Sequence, residues 1–353
     1  MTSLPIPGEG PEAAAAWVDR HLDALCEDRC APSPLFRGGQ RAADAALRRF
    51  DVRGYAARRN EVWPVARRAA SRLSPYIRHG LLSLPRVWAR VASGPARDRA
   101  TFRDELLWQE YARHLYARLG RRLARPLRAR VVERPSWAGE PWPREMACVG
   151  HALDALERDG WVVNQARMWL ASHWTVRQQV PWRPGEERFF RHLLDGSRAA
   201  NRLGWQWVVG TGTGRPYAFS RAQVERRAPG MCAGCSLRER CPIERAPAPG
   251  PSVGIDAAPA LQRDPDLRRS AGPEAPLRRG APTAVWITAE SLGQDDPALS
   301  AHPDLPASFV FDRPLLARLQ LSRKRLVFLV ETLAELARAR PLQLHLGDPA
   351  ALL

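Results

Sequence analysis

Two tryptophans stand one residue apart in the stretch NRLGWQWVVGTGTG, which runs from Asn201 to Gly214. Indole is among the most easily oxidised side chains, so tryptophans at short steps can relay single electrons. The chain contains 13 tryptophans, and the ordinary role of any one of them is core packing. Taken alone, the stretch leaves both roles open for Trp205 and Trp207.

A second group of residues has the chemistry of an anion site. The stretch SRLS offers the hydroxyls of Ser71 and Ser74 and the guanidinium of Arg72. Backbone N–H groups at a predicted helix start would lie beside them. The alternative is an N-cap serine next to a surface arginine.

Three cysteines have the spacing of metal ligands. MCAGCSLRERCPIE places Cys232, Cys235 and Cys241 in a C-x2-C-x5-C arrangement that lacks a fourth ligand nearby. Four thiolates can hold a [4Fe-4S] cluster or a zinc ion, and spacing scarcely distinguishes the two. Cys26 and Cys30, a C-x3-C in a charged N-terminal helix, are interpreted as having no part in that site.

The charge of the chain favours a polyanionic partner. Lys and Arg outnumber Asp and Glu by 54 to 37 over 353 residues, a formal net charge of +17. Residues 281–353 hold 7 basic and 8 acidic residues, so the excess lies entirely in the first 280. Nucleic acid is the predicted partner, and a solvated arginine-rich face is the alternative.

Nothing in the sequence predicts a membrane protein. Apolar runs fall short of the ~20 residues of a membrane span, and the N-terminus MTSLPIPGEGPEAAAAW lacks the pattern of a signal peptide. We therefore expect a cytoplasmic protein with reduced cysteines.

The elements that would position these groups fall into two classes. From Gly39 to Ala200, apolar residues recur at spacings of three and four, which predicts an all-helical domain. Residues 246–282 are rich in Pro, Ala, Gly and Arg and read as a flexible linker. After the linker, the sequence predicts strands at TAVWITAE, ASFVFDRP and LQLHLGD. It predicts an amphipathic helix at SRKRLVFLVETLAELARAR.

This last pattern corresponds to about half of a doubly wound α/β sheet. A half sheet leaves an open edge and a bare face. We expect the helical domain, or a partner chain in a dimer, to cover them.

Four stretches in this order resemble the FAD-binding domain of DNA photolyases and cryptochromes. They are ASRLSPYIRHGLLS (70–83), FRDELLWQEYARHL (102–115), GWVVNQARMWLAS (160–172) and PWRPGEERFFRHLLDGSRAANRLGWQWVVGTGTG (181–214). The similarity runs from about Phe36 to Tyr217 and depends on several unrelated motifs in register. It implies a helical domain that binds FAD.

The C-terminal part resembles the opening of the α/β antenna domain of the same family, through AVWITAESLGQDDPALSAH and FVFDRPLLARLQLSRKRLVFLVETLAEL. In the family that domain comes first, whereas here it comes last and ends after its third strand. The resemblance divides the chain into an N-terminal helical extension (1–35), a FAD-binding domain with the cysteines (36–245), the linker (246–282) and a permuted, partial α/β domain (283–353).

The resemblance also implies which residues hold the cofactor. Asn201 matches an asparagine that faces flavin N5, and Arg167 and Asp195 match an ion pair beside the ring. The residues that it places along the rest of FAD are Tyr55, Ser71, Arg72, Leu73, Ser74 and Phe102.

Electron transfer and substrate binding follow from the same resemblance. Trp205, Trp182 and Trp137 match a triad that runs from the flavin to the surface. The residues that match the pocket for a flipped pyrimidine dimer are Glu105, Trp108, Asn164, Met168 and Trp207. Such a lesion needs flat apolar walls for stacking and a carboxyl group for the base edge.

Cys148 matches the first cluster cysteine of iron–sulfur photolyases. The resemblance thus favours a [4Fe-4S] cluster on Cys148, Cys232, Cys235 and Cys241, with zinc as the alternative.

The predicted function is light-driven repair of damaged DNA, single- or double-stranded, by a carbon–carbon lyase that splits cyclobutane pyrimidine dimers. The 6-4 lesion is disfavoured because those enzymes usually present histidines near Val163 and Asn164. Ser197, Gln109 and Gln165 depart from the family pattern and support an alternative, a cryptochrome-like photosensor or redox flavoprotein without repair activity. A third hypothesis is a non-catalytic nucleic-acid-binding module with a structural metal.

Overall fold

The computed structural model of the chain describes residues 1–131, 133, 138–245 and 280–351. Trp137 and residues 246–279 of the predicted linker lie outside this range. The predicted fold class, a helical domain followed by a partial α/β unit, is confirmed. In the described ranges, no helix is both long and apolar enough to cross a membrane.

The α/β unit contains a four-stranded sheet with the order β1-β4-β3-β2. Strand β1 is Thr2–Leu4, and the three predicted strands are β2 (Val285–Ile287), β3 (Ala307–Asp312) and β4 (Leu342–Gly347), which run parallel. β1 pairs antiparallel with β4. The N-terminal segment therefore covers a sheet edge that we expected the helical domain or another chain to cover.

The described helices form two groups. Those of the α/β unit are α1 (Pro11–Leu22), α12 (Pro297–Ala301), α13 (Arg313–Leu319) and α14 (Arg323–Ala339). Those of the helical domain are α2 (Gln40–Arg49), α3 (Tyr55–Arg58), α4 (Ser74–Arg78), α5 (Leu84–Arg90), α6 (Ala96–Leu119), α7 (Ala147–Asp154), α8 (Asn164–Ser172), α9 (Trp182–His192), α10 (Arg198–Val209) and α11 (Arg221–Arg227). A π-helical turn extends α8 through Arg177.

Helix α14 joins the two units. Its sequence predicts an amphipathic helix, but residues 323–334 are all buried, because α1 packs on one side and the helical domain on the other. Its polar side chains are paired across these contacts. Arg323 donates to Asp19 over 2.6 Å, and Glu331 accepts from the backbone N–H of Gly38 over 2.7 Å.

Lys324 lies at the start of this helix. It is the only lysine of the chain and is 1% exposed. Its Nζ donates to Ser322 Oγ over 2.7 Å and lies 3.8 Å from Cys30 Sγ. Burial lowers the pKa of this amine.

No disulfide joins any of the six cysteines, all of which lie within the described residues. Cys26 and Cys30 lie beyond the predicted N-terminal helix, because α1 ends at Leu22.

Candidate functional site

A cavity opens in the helical domain between α3, the segment before α4, and the helices α6, α8 and α10. Its empty space, including the open mouth, is about 1050 Å³. Most of the predicted cofactor residues line it, namely Tyr55, Ser71, Arg72, Ser74, Arg167, Asp195 and Asn201. Glu105 and Asn164 of the predicted lesion pocket line it as well.

The two remaining predicted cofactor residues, Leu73 and Phe102, lie behind the cavity wall and do not line it. Leu73 is fully buried. Phe102 is also buried and packs edge-on against the ring of Tyr55, with the centroids 5.0 Å apart. Neither side chain lines the cavity, so each would affect a ligand there only through its neighbours.

The SRLS segment turns sharply at the cavity wall. Arg72 has a φ of 55°, a left-handed conformation that is uncommon outside glycine. Ser71 Oγ accepts from the backbone N–H of Leu73 over 3.3 Å, and Ser74 Oγ accepts from the indole N–H of Trp161 over 3.0 Å. Helix α4 has only five residues, so anion binding here depends mainly on the side chains.

The inner end of the cavity holds Arg167, Asp195 and Asn201. Arg167 Nη2 lies 2.8 Å from Asp195 Oδ2 and its Nε donates to the carbonyl of Val162 over 2.7 Å. The other carboxylate oxygen of Asp195 and the amide nitrogen of Asn201 are buried and make no hydrogen bond within the described residues. Buried polar groups normally have partners, so both atoms are suited to a ligand.

The cavity is positively charged. Five arginines line it against two carboxylates, Glu105 and Asp195; the arginines are Arg59, Arg72, Arg78, Arg113 and Arg167. Glu105 forms an ion pair with Arg59, Nε to Oε1 3.0 Å. Arg78 and Arg113 pair with Glu290 and Glu110, over 2.6 and 3.0 Å. Arg72 forms no ion pair within the described residues, so its charge suits a pyrophosphate or a nucleic-acid backbone.

The two predicted stacking tryptophans are exposed on the helices that line the cavity. Trp108 on α6 is 63% exposed and Trp207 on α10 is 49% exposed. Met168 lies one turn after Asn164 on α8, and the amide of Asn164 lies 3.7 Å from its sulfur. Trp108 lies with its ring centroid 5.6 Å from that of Tyr111, which is also exposed, and contiguous exposed apolar surface of this kind marks binding surfaces.

The three residues that depart from the family pattern, Gln109, Ser197 and Gln165, lie in different environments. Gln109 and Ser197 line the cavity, and Ser197 also caps α10 by accepting from the backbone N–H of Ala200 over 3.5 Å. Gln165 is buried and donates to the hydroxyl of Tyr217 over 2.9 Å. Gln165 thus serves the fold and does not line the cavity.

The structure describes two of the three predicted electron-transfer tryptophans. Trp205 and Trp182 are buried, whereas Trp137 lies outside the described residues. The ring of Trp205 contacts Phe189 and Trp174, with centroid distances of 5.1 and 6.3 Å. Among the described residues, Trp182 makes no ring-to-ring contact.

The four predicted metal-ligating cysteines surround one small cavity. It has about 280 Å³ of empty space and lies between the start of α7 and the loop after α11; Cys148, Cys232, Cys235 and Cys241 line it. Cys235 Sγ accepts from the backbone N–H of Ala147 over 3.4 Å. Burial, reinforced by the three neighbouring thiols, raises the pKa of Cys148 to about 12.

The spacing of these sulfurs is wide. In the part of the chain that the structure describes, the only three ligand atoms within 4.8 Å of one another belong to Glu27, Asp28 and His192. No three of the cysteine sulfurs therefore come that close together. Tetrahedral zinc with bonds of about 2.3 Å would hold its sulfurs about 3.8 Å apart.

Sequence reasoning missed one residue that shapes the cavity. Trp161 lines the wall, holds Ser74 and lies 5.9 Å from the guanidinium carbon of Arg72. It belongs to the stretch GWVVNQARMWLAS, so its position in a motif was visible. Its contact with a segment 87 residues earlier in the chain was not.

Comparisons with known proteins show what the helical domain resembles. Residues 102–228 match the family model described as the FAD binding domain of DNA photolyase. The chain is 34% identical to the deoxyribodipyrimidine photo-lyase of Vibrio cholerae over 43% of this chain and 35% of that protein. For the enzyme of Thermus thermophilus the identity is 34%, over 51% of this chain and 44% of the relative.

The chain spans less than half the length of these curated relatives. Among solved structures, it is similar to a bacterial class III photolyase from Agrobacterium tumefaciens. The TM-score is 0.46 and the identity 26%, over 54% of this chain and 42% of that one.

Proposed function

We propose that the chain is a member of the DNA photolyase/cryptochrome family, which its helical domain resembles, and that it binds FAD and splits cyclobutane pyrimidine dimers under blue light. Damaged DNA, single- or double-stranded, is the proposed substrate. The reaction class is that of a carbon–carbon lyase.

The observation that carries the proposal is the pair of buried, unpartnered polar atoms at the inner end of the cavity, on Asn201 and Asp195. An amide can donate and accept, so Asn201 suits a ring whose hydrogen bonding changes with its redox state. Arg167 neutralises Asp195 and leaves one carboxylate oxygen for the ring. Bound FAD would supply the single electron that opens the cyclobutane ring.

The rest of the machinery belongs to the chain itself. The hydroxyls of Ser71 and Ser74 and the guanidinium of Arg72 would neutralise and orient the pyrophosphate. Trp108 and Trp207 present exposed indoles to a base that has left the duplex, and Glu105 offers a carboxylate to its edge. Stacking on aromatic side chains contributes about 1–3 kcal/mol per base.

The alternative is a photosensor or redox flavoprotein of the cryptochrome type. Gln109 favours it, because this neutral side chain lines the cavity where an arginine is common, and its Oε1 has no hydrogen-bond partner within the described residues. In that case FAD binds and responds to light, but dimers stay intact.

A repair assay distinguishes the two. The full chain, reconstituted with FAD and given a reductant, is illuminated with a dimer-containing oligonucleotide, and loss of dimers is measured. We expect repair, and we expect Trp207→Ala to slow it about tenfold through lost stacking. Trp286→Ala removes a similarly exposed indole from the distant sheet and should change nothing.

Bound flavin that responds to light without any loss of dimers would establish the sensor. Protein that takes up no FAD would overturn both functions.

We further propose that the cysteine cavity holds a [4Fe-4S] cluster. Four cysteines line it, and a backbone N–H points at Cys235. Within the described residues, no three of their sulfurs lie within 4.8 Å of one another, whereas tetrahedral zinc holds its sulfurs about 3.8 Å apart. A cluster with several irons needs the wider spacing.

Iron and sulfide analysis of anaerobically purified protein tests this proposal. We expect about four irons per chain, a loss of iron in Cys148→Ser, and full occupancy in Cys26→Ser, which changes a cysteine outside the cavity. Stoichiometric zinc without sulfide would contradict the proposal.

A further inference from the structure

The single lysine of the chain and a half-buried cysteine lie side by side where the loop after α1 meets the start of α14. Lys324 Nζ is 3.8 Å from Cys30 Sγ, although the two residues are 294 positions apart. Ser322 lies between them, because its Oγ accepts from Lys324 over 2.7 Å and is 3.3 Å from the sulfur. The fold therefore brings a primary amine and a thiol within reach of each other.

Hydrogen bonds fix the two segments against each other. Asp28 Oδ1 accepts from the backbone N–H of Cys30 over 3.3 Å and from that of Arg323 over 3.0 Å. The guanidinium of Arg323 donates to the carbonyl of Cys30 over 2.9 Å. The backbones on both sides are thus anchored, and the flexible stem of Lys324 can close the remaining distance to the sulfur.

The sulfur and the amine differ in their access to solvent. Cys30 is half-buried and lines an open surface cavity with about 950 Å³ of empty space, together with Pro34 and Glu157. Lys324 is 1% exposed and does not line this cavity. A small oxidant dissolved in water can therefore reach Cys30 before it meets the amine.

The surroundings affect the reactivity of both groups. Burial lowers the pKa of the Lys324 amine, which favours its neutral, nucleophilic form. Burial raises the pKa of the Cys30 thiol, against an opposing effect of the Lys324 charge. Because the thiolate is the form that reacts with peroxide, oxidation of Cys30 is slow and requires sustained exposure.

We propose that hydrogen peroxide joins Cys30 to Lys324 through a sulfur–nitrogen bond. In the first step, Sγ attacks one peroxide oxygen, the O–O bond breaks, and the products are a sulfenic acid on Cys30 and one water. In the second step, Nζ attacks Sγ, the S–O bond breaks, and the hydroxyl leaves with a proton of the amine as a second water. One peroxide is reduced to two waters, and the thiol and the amine together lose two hydrogens.

Peptide mass spectrometry of the full chain tests this bridge. The protein is exposed to hydrogen peroxide, quenched, unfolded without reductant, alkylated and digested. We expect a joined peptide that carries Cys30 and Lys324 and has the summed mass of its two parts less two hydrogens. A dissolved thiol should separate the parts again, since it attacks the oxidised sulfur. Flavin binding plays no part in this reaction, so the bridge and the proposed function can fail separately.

Three variants serve as controls. Cys30→Ser should lose the joined peptide. Cys26→Ser should form it as the wild type does, because Cys26 is also half-buried but its Sγ donates to the carbonyl of Leu22 over 3.4 Å. In Lys324→Met the sulfenic acid meets no amine, so Cys30 should be oxidised further to the sulfinic acid.

Sulfinic acid on Cys30 beside an unmodified Lys324 in the wild type would overturn the proposal, as would Lys324 joined to another cysteine. A joined peptide that retains an additional oxygen would overturn the direct sulfur–nitrogen bond. These outcomes are measured in the wild type and do not require any variant to fold.

The bridge should also stabilise the folded chain. A cross-link between residues 294 positions apart restricts the unfolded chain. Relative to the same treatment of Cys30→Ser, peroxide should therefore raise the melting temperature of the wild type. An equal change in both proteins would contradict a bridge at Cys30.

Discussion

Asn201 and Gln165 are both buried amides of the helical domain, but within the described residues only the amide nitrogen of Gln165 has a partner, the hydroxyl of Tyr217. Removing a buried group that has no partner costs little, whereas removing one member of a bonded pair leaves the other unsatisfied. The two amides should therefore respond in opposite ways to the same substitution.

In the absence of FAD, Asn201→Leu should change the free energy of unfolding by less than about 1 kcal/mol, and Gln165→Leu should lower it by about 1–3 kcal/mol. FAD should stabilise Gln165→Leu normally. For Asn201→Leu, tenfold weaker binding would remove about 1.4 kcal/mol of that stabilisation. Thermal unfolding with and without FAD measures both, and equal FAD responses would contradict a flavin contact at Asn201.

His173 gives the protein a predictable response to acid. It is buried, and within the described residues neither ring nitrogen makes a hydrogen bond of good geometry. Burial lowers its pKa from 6.5 to about 4, against a smaller opposing effect of the Pro141 carbonyl. The folded chain thus binds fewer protons than the unfolded chain between these values, and stability is lost as the pH falls through this window.

His173→Leu should remove this loss. Relative to wild type, the variant should gain about 3 kcal/mol of stability between pH 8 and pH 4. Urea unfolding at several pH values measures the difference. His114→Gln, an exposed change on α6, should keep the wild-type profile, and a parallel profile for His173→Leu would contradict the prediction.

At the scale of elements, α9 and α10 pack through a glycine. A Cβ at Gly185 on α9 would stand 2.3 Å from the ring of Trp205, whereas one at Gly204 on α10 would meet nothing within 4 Å. The same substitution should therefore act oppositely at the two positions.

Gly204→Ala should stabilise the protein by up to about 1 kcal/mol, because alanine favours the helix. Gly185→Ala should destabilise it by about 1–3 kcal/mol through overpacking. It should also shift the near-ultraviolet circular dichroism, since Trp205 must move. Melting temperatures that rise in both variants would show that α9 and α10 are not in close contact.

At the scale of the whole molecule, the N-terminal segment is part of the α/β unit. Trp17 on α1 is 7% exposed, donates to the carbonyl of Pro5 over 2.9 Å and packs on Phe311 of β3. Trp286 on the edge strand β2 is 45% exposed. The α/β unit therefore contains one buried tryptophan, Trp17, and one exposed tryptophan, Trp286.

Trp17→Ala should destabilise the protein by about 3–5 kcal/mol, and Trp286→Ala by less than about 0.5 kcal/mol. Denaturant unfolding of both variants measures this contrast. Similar, small losses would mean that residues 1–22 are not integral to the sheet.

Much of the molecule was predictable because its signals are local or lie in motifs. The helical periodicity, the three parallel strands and most of the cavity residues, such as Asn201 and Ser71, follow from short stretches. β1 did not, because three residues are too few for a strand pattern and its partner lies more than 300 residues away. The contacts of Trp161 and Trp174 depend on how helices and loops meet, which spacing along the chain does not encode.

Because Lys324 is buried, chemical modification of its amine can show how often the folded protein opens. Reagents that acylate side-chain amines find a single lysine, and it is 1% exposed beneath the N-terminal segment. In the native molecule this amine is protected, and it becomes reactive toward these reagents only when α14 separates from its neighbours. The rate of modification at this single position therefore measures how often the α/β unit and the helical domain come apart.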